Sequence, residues 1–130
     1  MCHGQNGLTA ENGFANQADI LIHARQAATF VGATTMDRPE WVAVHPHEPM
    51  VFCTLTNNKN RGVADSQPVG GPNPRAENHY GQIVRWVPTA GEHTAKDFQW
   101  DLFLMAGNPN LYGGTPYAGS SNITADNMFN

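Results

Sequence analysis

In the stretch TTMDRPEWVAVHP, residues 34–46, three charged residues, Asp37, Arg38 and Glu40, surround Pro39. Arg38 offers a planar fork of donors that matches a phosphate or a carboxylate. Glu40 offers an oxygen ligand for a hard cation. Between them Pro39 fixes its own φ and favours an extended Arg38, so the two side chains are expected to leave a stiff backbone in related directions. A stiff cation–anion pair is what a phosphate or metal site needs. From spacing alone, a structural ion pair at a helix-to-strand junction, or solvated turn charges, accounts for the same residues.

Other residues of the same chemical types carry less. His45 and His47 flank Pro46 where a strand ends, which fits turn or strand-end packing better than metal binding. His23 reads as a partly exposed helix residue. Arg75 and His79 lie in the longest connection and are better placed to shape a site. Asp126 and Asn127 could bind calcium but fit turn chemistry, and the NIT triplet at 122–124 is a common chance pattern. Cys2 and Cys53 have no partner at zinc-ligand spacing, and Cys53 sits in an apolar run as a small hydrophobe. Trp41, Trp86 and Trp100 all fall in strand-like runs, where packing between sheets is expected.

The elements that position these residues follow from the apolar pattern. Residues 1–15 read as loop. Ile20, Ala24, Ala27 and Val31 recur at helical spacing, with Asn16 as cap, Asp19 three residues on, and Gly32 after the last turn, which predicts a helix over 16–31. Strand-like runs follow at 41–46, 50–57, 81–88 and 97–107. The last alternates, with Phe98, Trp100, Leu102 and Leu104 expected on one face and Gln99 and Asp101 on the other. The turn-rich link HPHEP predicts a hairpin between the first two runs. Residues 41–107 are therefore expected to form one four-stranded antiparallel sheet, and 108–130 a loop. The connection over 58–80 is too long to be idle in a compact domain.

Composition limits the function classes. With 130 residues, 14% charged, 13 Gly and 9 Pro, the chain has the profile of a loop-rich, mainly β domain. Its net charge of −4 and seven scattered Lys and Arg form no basic stripe, which argues against nucleic acid as a partner. No basic, then apolar, leader opens the sequence and no apolar run reaches membrane-spanning length, so no membrane partner is expected. A lone four-stranded sheet with one helix leaves edges and faces uncovered, as one blade of a propeller does, and a single blade shows no internal repeat.

The string NGFANQADILIHARQAATFVGATTMDRPEWVAVHP, followed by TLTNN, NPRAENHYGQIVRW and FQWDLFLMAGNP, closely resembles the PhoX-type bacterial alkaline phosphatases, in collinear order through essentially the whole chain. The resemblance implies a metal-dependent phosphomonoesterase on a β-propeller, holding calcium and iron near the propeller axis and located in the periplasm or secreted. It also implies that Arg38 contacts phosphate and Glu40 binds metal. Family members run to several hundred residues, and their acidic CEE-like and TDG-like elements are absent here. The chain is thus expected to be an internal fragment: one helix, one blade over 41–107, and a loop leading to the next blade. It is expected to be inactive alone, with a phosphomonoester substrate and the remaining blades of the parent as its partners. The alternative is a non-enzymatic, calcium-stabilised secreted propeller that serves in binding or as a scaffold.

Overall fold

A computed structural model describes residues 1–108, 110 and 112–115. The expectations for Asp126, Asn127, the NIT triplet and most of the 108–130 loop lie outside the described residues. The chain divides into two compact units, Met1–Thr35 and Met36–Asn130.

The first unit holds the helical segment, as α1 (Gln17–Ile22) and α2 (Ala24–Phe30). The Asn16 side chain accepts hydrogen bonds from the N–H groups of Ala18 and Asp19 at 2.8 and 3.2 Å, and the Asp19 carboxylate accepts from Ala15 N at 2.9 Å. This is the cap expected from the sequence, and it satisfies backbone donors that have no partner inside the helix. The expected continuous helix is interrupted at His23, whose φ of −102° and ψ of 36° lie outside the helical basin, although His23 N still bonds Asp19 O. Ile20 and Ala27 are buried with Leu8 and Phe14, and Val31 packs against this cluster. Ala24, expected on the same stripe, is exposed. The supposed loop ahead of the helix contributes two of the four core residues and a 3-10 turn over Ala10–Asn12.

The second unit is built on β1 (Pro39–Val44), β2 (Val51–Leu55), β3 (Gln82–Pro88) and β4 (Phe98–Met105). They form the expected four-stranded antiparallel sheet, in the order β1-β2-β3-β4. One face carries the buried residues Cys53, Leu55 and Val84, with Trp86 and Leu102 packed against them. Burial raises the Cys53 thiol above its ordinary pKa, because the thiolate would lose its hydration. On the opposite face, Phe52 and Phe103 meet edge to face with ring centroids 5.0 Å apart, and the Arg85 guanidinium lies 5.3 Å from the Phe103 ring centre.

Two register shifts interrupt the ladder. Between Pro39 and Trp41, two steps on β1 face one step on β2, so Glu40 is the extra residue of a bulge. On β4, Ile83 pairs with Leu104 but Val84 with Leu102, which makes Phe103 the extra residue. This second bulge corrects the expected alternation. Directly paired residues share a face, so Leu104 lies with Ile83 rather than with Phe98, Trp100 and Leu102.

Candidate active site at the start of the first strand

Asp37 lies under the turn that leads into β1 and is fully buried, as is Arg61. One Asp37 oxygen, Oδ1, accepts from Arg61 Nε at 2.8 Å, Arg61 Nη2 at 2.7 Å and Asn58 Nδ2 at 2.8 Å. The other, Oδ2, accepts from Asn78 Nδ2 at 3.1 Å. The Asp37 backbone is held as well: its N–H donates to Asn73 Oδ1 at 2.8 Å, and its carbonyl accepts from Thr56 N at 2.9 Å. A carboxylate taken out of water needs this density of donors to recover its lost hydration.

The same network gives the 58–80 connection its shape. Asn78 Nδ2 also donates to Gln82 Oε1, Gln82 Nε2 donates to Pro72 O at 2.7 Å, and Asn58 Nδ2 donates to Gln67 Oε1 at 2.7 Å. At the far end of the connection, Gly81 has a φ of +86°, and a Cβ there would stand 2.2 Å from Leu55 O. Only glycine lets the chain re-enter the sheet this close to β2.

Arg38 follows the buried acid. Its φ of +46° lies in the left-handed region, not in the extended region expected from the proline after it. The reason is the anchoring on either side. Arg38 N donates to Met36 O at 2.9 Å, closing a tight turn around Asp37, and Arg38 O accepts from the Thr56 hydroxyl at 3.5 Å. The side chain emerges into solvent and is steadied by Nη1 donating to Asn57 Oδ1 at 2.8 Å. Glu40 projects from its bulge with Oε1 3.7 Å from Arg38 Nη2, and the two side chains are 63% and 53% exposed. The structure thus brings the two expected site residues side by side at the surface, each on an irregular piece of backbone that aims it.

The remaining candidates separate from this pair. Arg75 is buried and structural: Nη1 donates to Ala106 O at 2.6 Å, Nη2 donates to Gly81 O, and the guanidinium lies 4.8 Å from the Tyr112 ring centre. Burial lowers its pKa from the ordinary guanidinium value, while Tyr112 and Asp37 oppose that shift. His79 is exposed, with its backbone N–H donating to the Tyr112 hydroxyl at 3.0 Å. His45 Nδ1 accepts from the N–H groups of His47 and Glu48 at 3.3 and 3.0 Å, the turn role expected for it. Among the described residues there is no group of three or more His, Cys, Asp or Glu side chains that could hold a metal ion, and no helix is long and apolar enough to cross a membrane.

Asp37 and its partners are what the sequence pattern left unassigned. A signal was present: the 58–80 connection is rich in Asn and holds Arg61 but has few apolar residues, so polar bonds must order it. The acid in the neighbouring turn is their natural acceptor.

No curated protein matches the chain. Among solved structures, Pseudomonas fluorescens PhoX in complex with vanadate, a transition state analogue, is similar at 61% sequence identity with a TM-score of 0.87. The match covers 99% of this chain and 22% of that one, so the chain spans about a fifth of its solved relative. Residues 2–130 match the family described as alkaline phosphatase PhoX. With nearly every residue inside that match, the chain belongs to the alkaline phosphatase PhoX family.

Proposed function

We propose that this chain is part of a metal-dependent phosphomonoesterase, in which Arg38 holds the substrate phosphate and Glu40 is a metal ligand. The observation that carries the reading is the pairing of a left-handed Arg38, steadied by Asn57, with a Glu40 set on a bulge 3.7 Å away. Strained backbone and bulges concentrate where a fold aims functional side chains. A phosphate monoester carries two negative charges, and charge builds on its oxygens as the ester bond rearranges. A guanidinium fixed on Asn57 meets that charge without reorganising, and its fork orients the phosphate for in-line attack.

Calcium and iron are the metals proposed for the site, both hard ions suited to carboxylate oxygen. When bound, such ions polarise phosphoryl oxygens and supply a deprotonated oxygen nucleophile at neutral pH. The described residues fit one donor of such a cluster, Glu40, and not the cluster itself, so its other ligands come from elsewhere in the parent chain. On this reading the sheet is one blade of a propeller, residues 1–130 are inactive alone, and the parent acts in the periplasm or is secreted.

The test uses the longest natural chain that carries residues 1–130. Hydrolysis of a phosphomonoester should be abolished by a calcium chelator. Arg38→Ala should lower kcat/KM about a hundredfold, and Glu40→Ala should reduce the metal bound per chain. Unchanged kinetics and metal content in both variants would refute the assignment. A folded, metal-loaded parent that hydrolyses no phosphomonoester would favour the scaffold alternative.

A further inference from the structure

We propose that Asp37 is a positioning residue for Arg38, through which the 58–80 connection sets the direction of the phosphate-binding guanidinium; this rests on the reading of Arg38 given above. A left-handed backbone at a residue with a side chain persists only where its surroundings over-determine it. Arg38 has such surroundings on one side. Every hydrogen-bonding group of Asp37 is engaged: its N–H by Asn73, its carbonyl by Thr56, and its carboxylate by Arg61, Asn58 and Asn78.

With Asp37 immobile, the peptide that joins it to Arg38 is fixed in orientation, and the left-handed φ of 46° follows as the conformation that still lets Thr56 reach both carbonyls. The guanidinium then departs along a line that meets Asn57. Loosening Asp37 would return Arg38 to the extended conformation that Pro39 favours and move its side chain off Asn57. Moving a charged contact off its aim costs affinity steeply. Asp37 touches no substrate in this scheme and acts only through Arg38.

The experiment is a double-mutant cycle in the longest natural chain that carries this segment. Inorganic phosphate serves as competitive inhibitor and bound metal is measured in parallel. Asn73→Ala removes the acceptor for the Asp37 N–H, and Asn58→Ala removes one donor to its carboxylate while leaving Arg61 in place. Each should weaken phosphate inhibition on the order of tenfold, with metal content unchanged. In an Arg38→Ala background, neither should weaken it further. A purely structural role predicts the opposite, with losses that add to that of Arg38→Ala. Additive losses, or no loss in an Asn58→Ala protein that melts like the wild type, would overturn the inference and leave the role of Arg38 standing. If Arg38→Ala itself leaves phosphate inhibition unchanged, the phosphate assignment falls first and the inference with it.

Discussion

At Asp37 and Arg38, neighbouring charges have opposite fates. Asp37 forms an ion pair with Arg61 that is wholly out of water, whereas the Arg38–Glu40 pair is more than half exposed. Removing one partner of a buried pair strands the other charge in a medium that cannot solvate it, so Asp37→Ala should cost about 3–5 kcal/mol of stability, read from urea denaturation. An exposed pair contributes little, so Glu40→Ala should leave the midpoint of the same curve nearly in place. The two variants therefore separate holding the fold from serving the site. A shift for Glu40→Ala as large as that for Asp37→Ala would mean that both acids are structural. The residue types in DRPE suit phosphate and metal contacts, and it is the family resemblance that leads to the roles proposed for Arg38 and Glu40. Nothing in the triplet distinguished its buried acid from its exposed one, because burial here is decided by residues 21 to 41 positions downstream.

Among the elements, strands and the helix cap were legible because each is written in a local period or a local bond. β2 and β3 are rich in β-branched, aromatic and aliphatic residues, and Asn16 caps a turn that starts one residue later. The two bulges were not legible. A bulge is a property of two strands in register, and alternation along β4 alone places Leu104 on the wrong face once Phe103 is set aside as the extra residue. The break at His23 has the same character, since nothing in its neighbours' spacing marks it. The glycine at the entry to β3 makes a sharp prediction. Gly81→Ala must place a methyl group against Leu55 O and hold an alanine at positive φ, so it should destabilise the protein by about 3 kcal/mol or more. A melting curve like that of the wild type would show that β3 can enter the sheet by another path.

Considered as a whole, the sheet of the second unit shows apolar side chains on both faces. Trp41 and Phe103 are exposed on one side, Val42, Val44 and Trp100 on the other, and Trp41 is exposed to 72%. Apolar surface of this extent on a single sheet calls for cover. The 130-residue polypeptide on its own should therefore associate, with a sedimentation coefficient that rises with concentration. A monomer at every concentration, with a sharp two-state melt, would mark it as a self-sufficient domain. Pairing β2 with β3 spans 27 positions at Leu55–Gln82 and 35 at Val51–Trp86, and the Asp37 hub joins residues 21, 24 and 41 positions apart beside the ends of those strands. Closing loops of that length is costly until β2 and β3 have paired and brought the ends of the connection together. The hub is thus expected to form after the sheet and to be absent from the transition state. Weakening it should hasten unfolding while refolding keeps its pace, so the buried acid acts as a latch on the time the folded state survives.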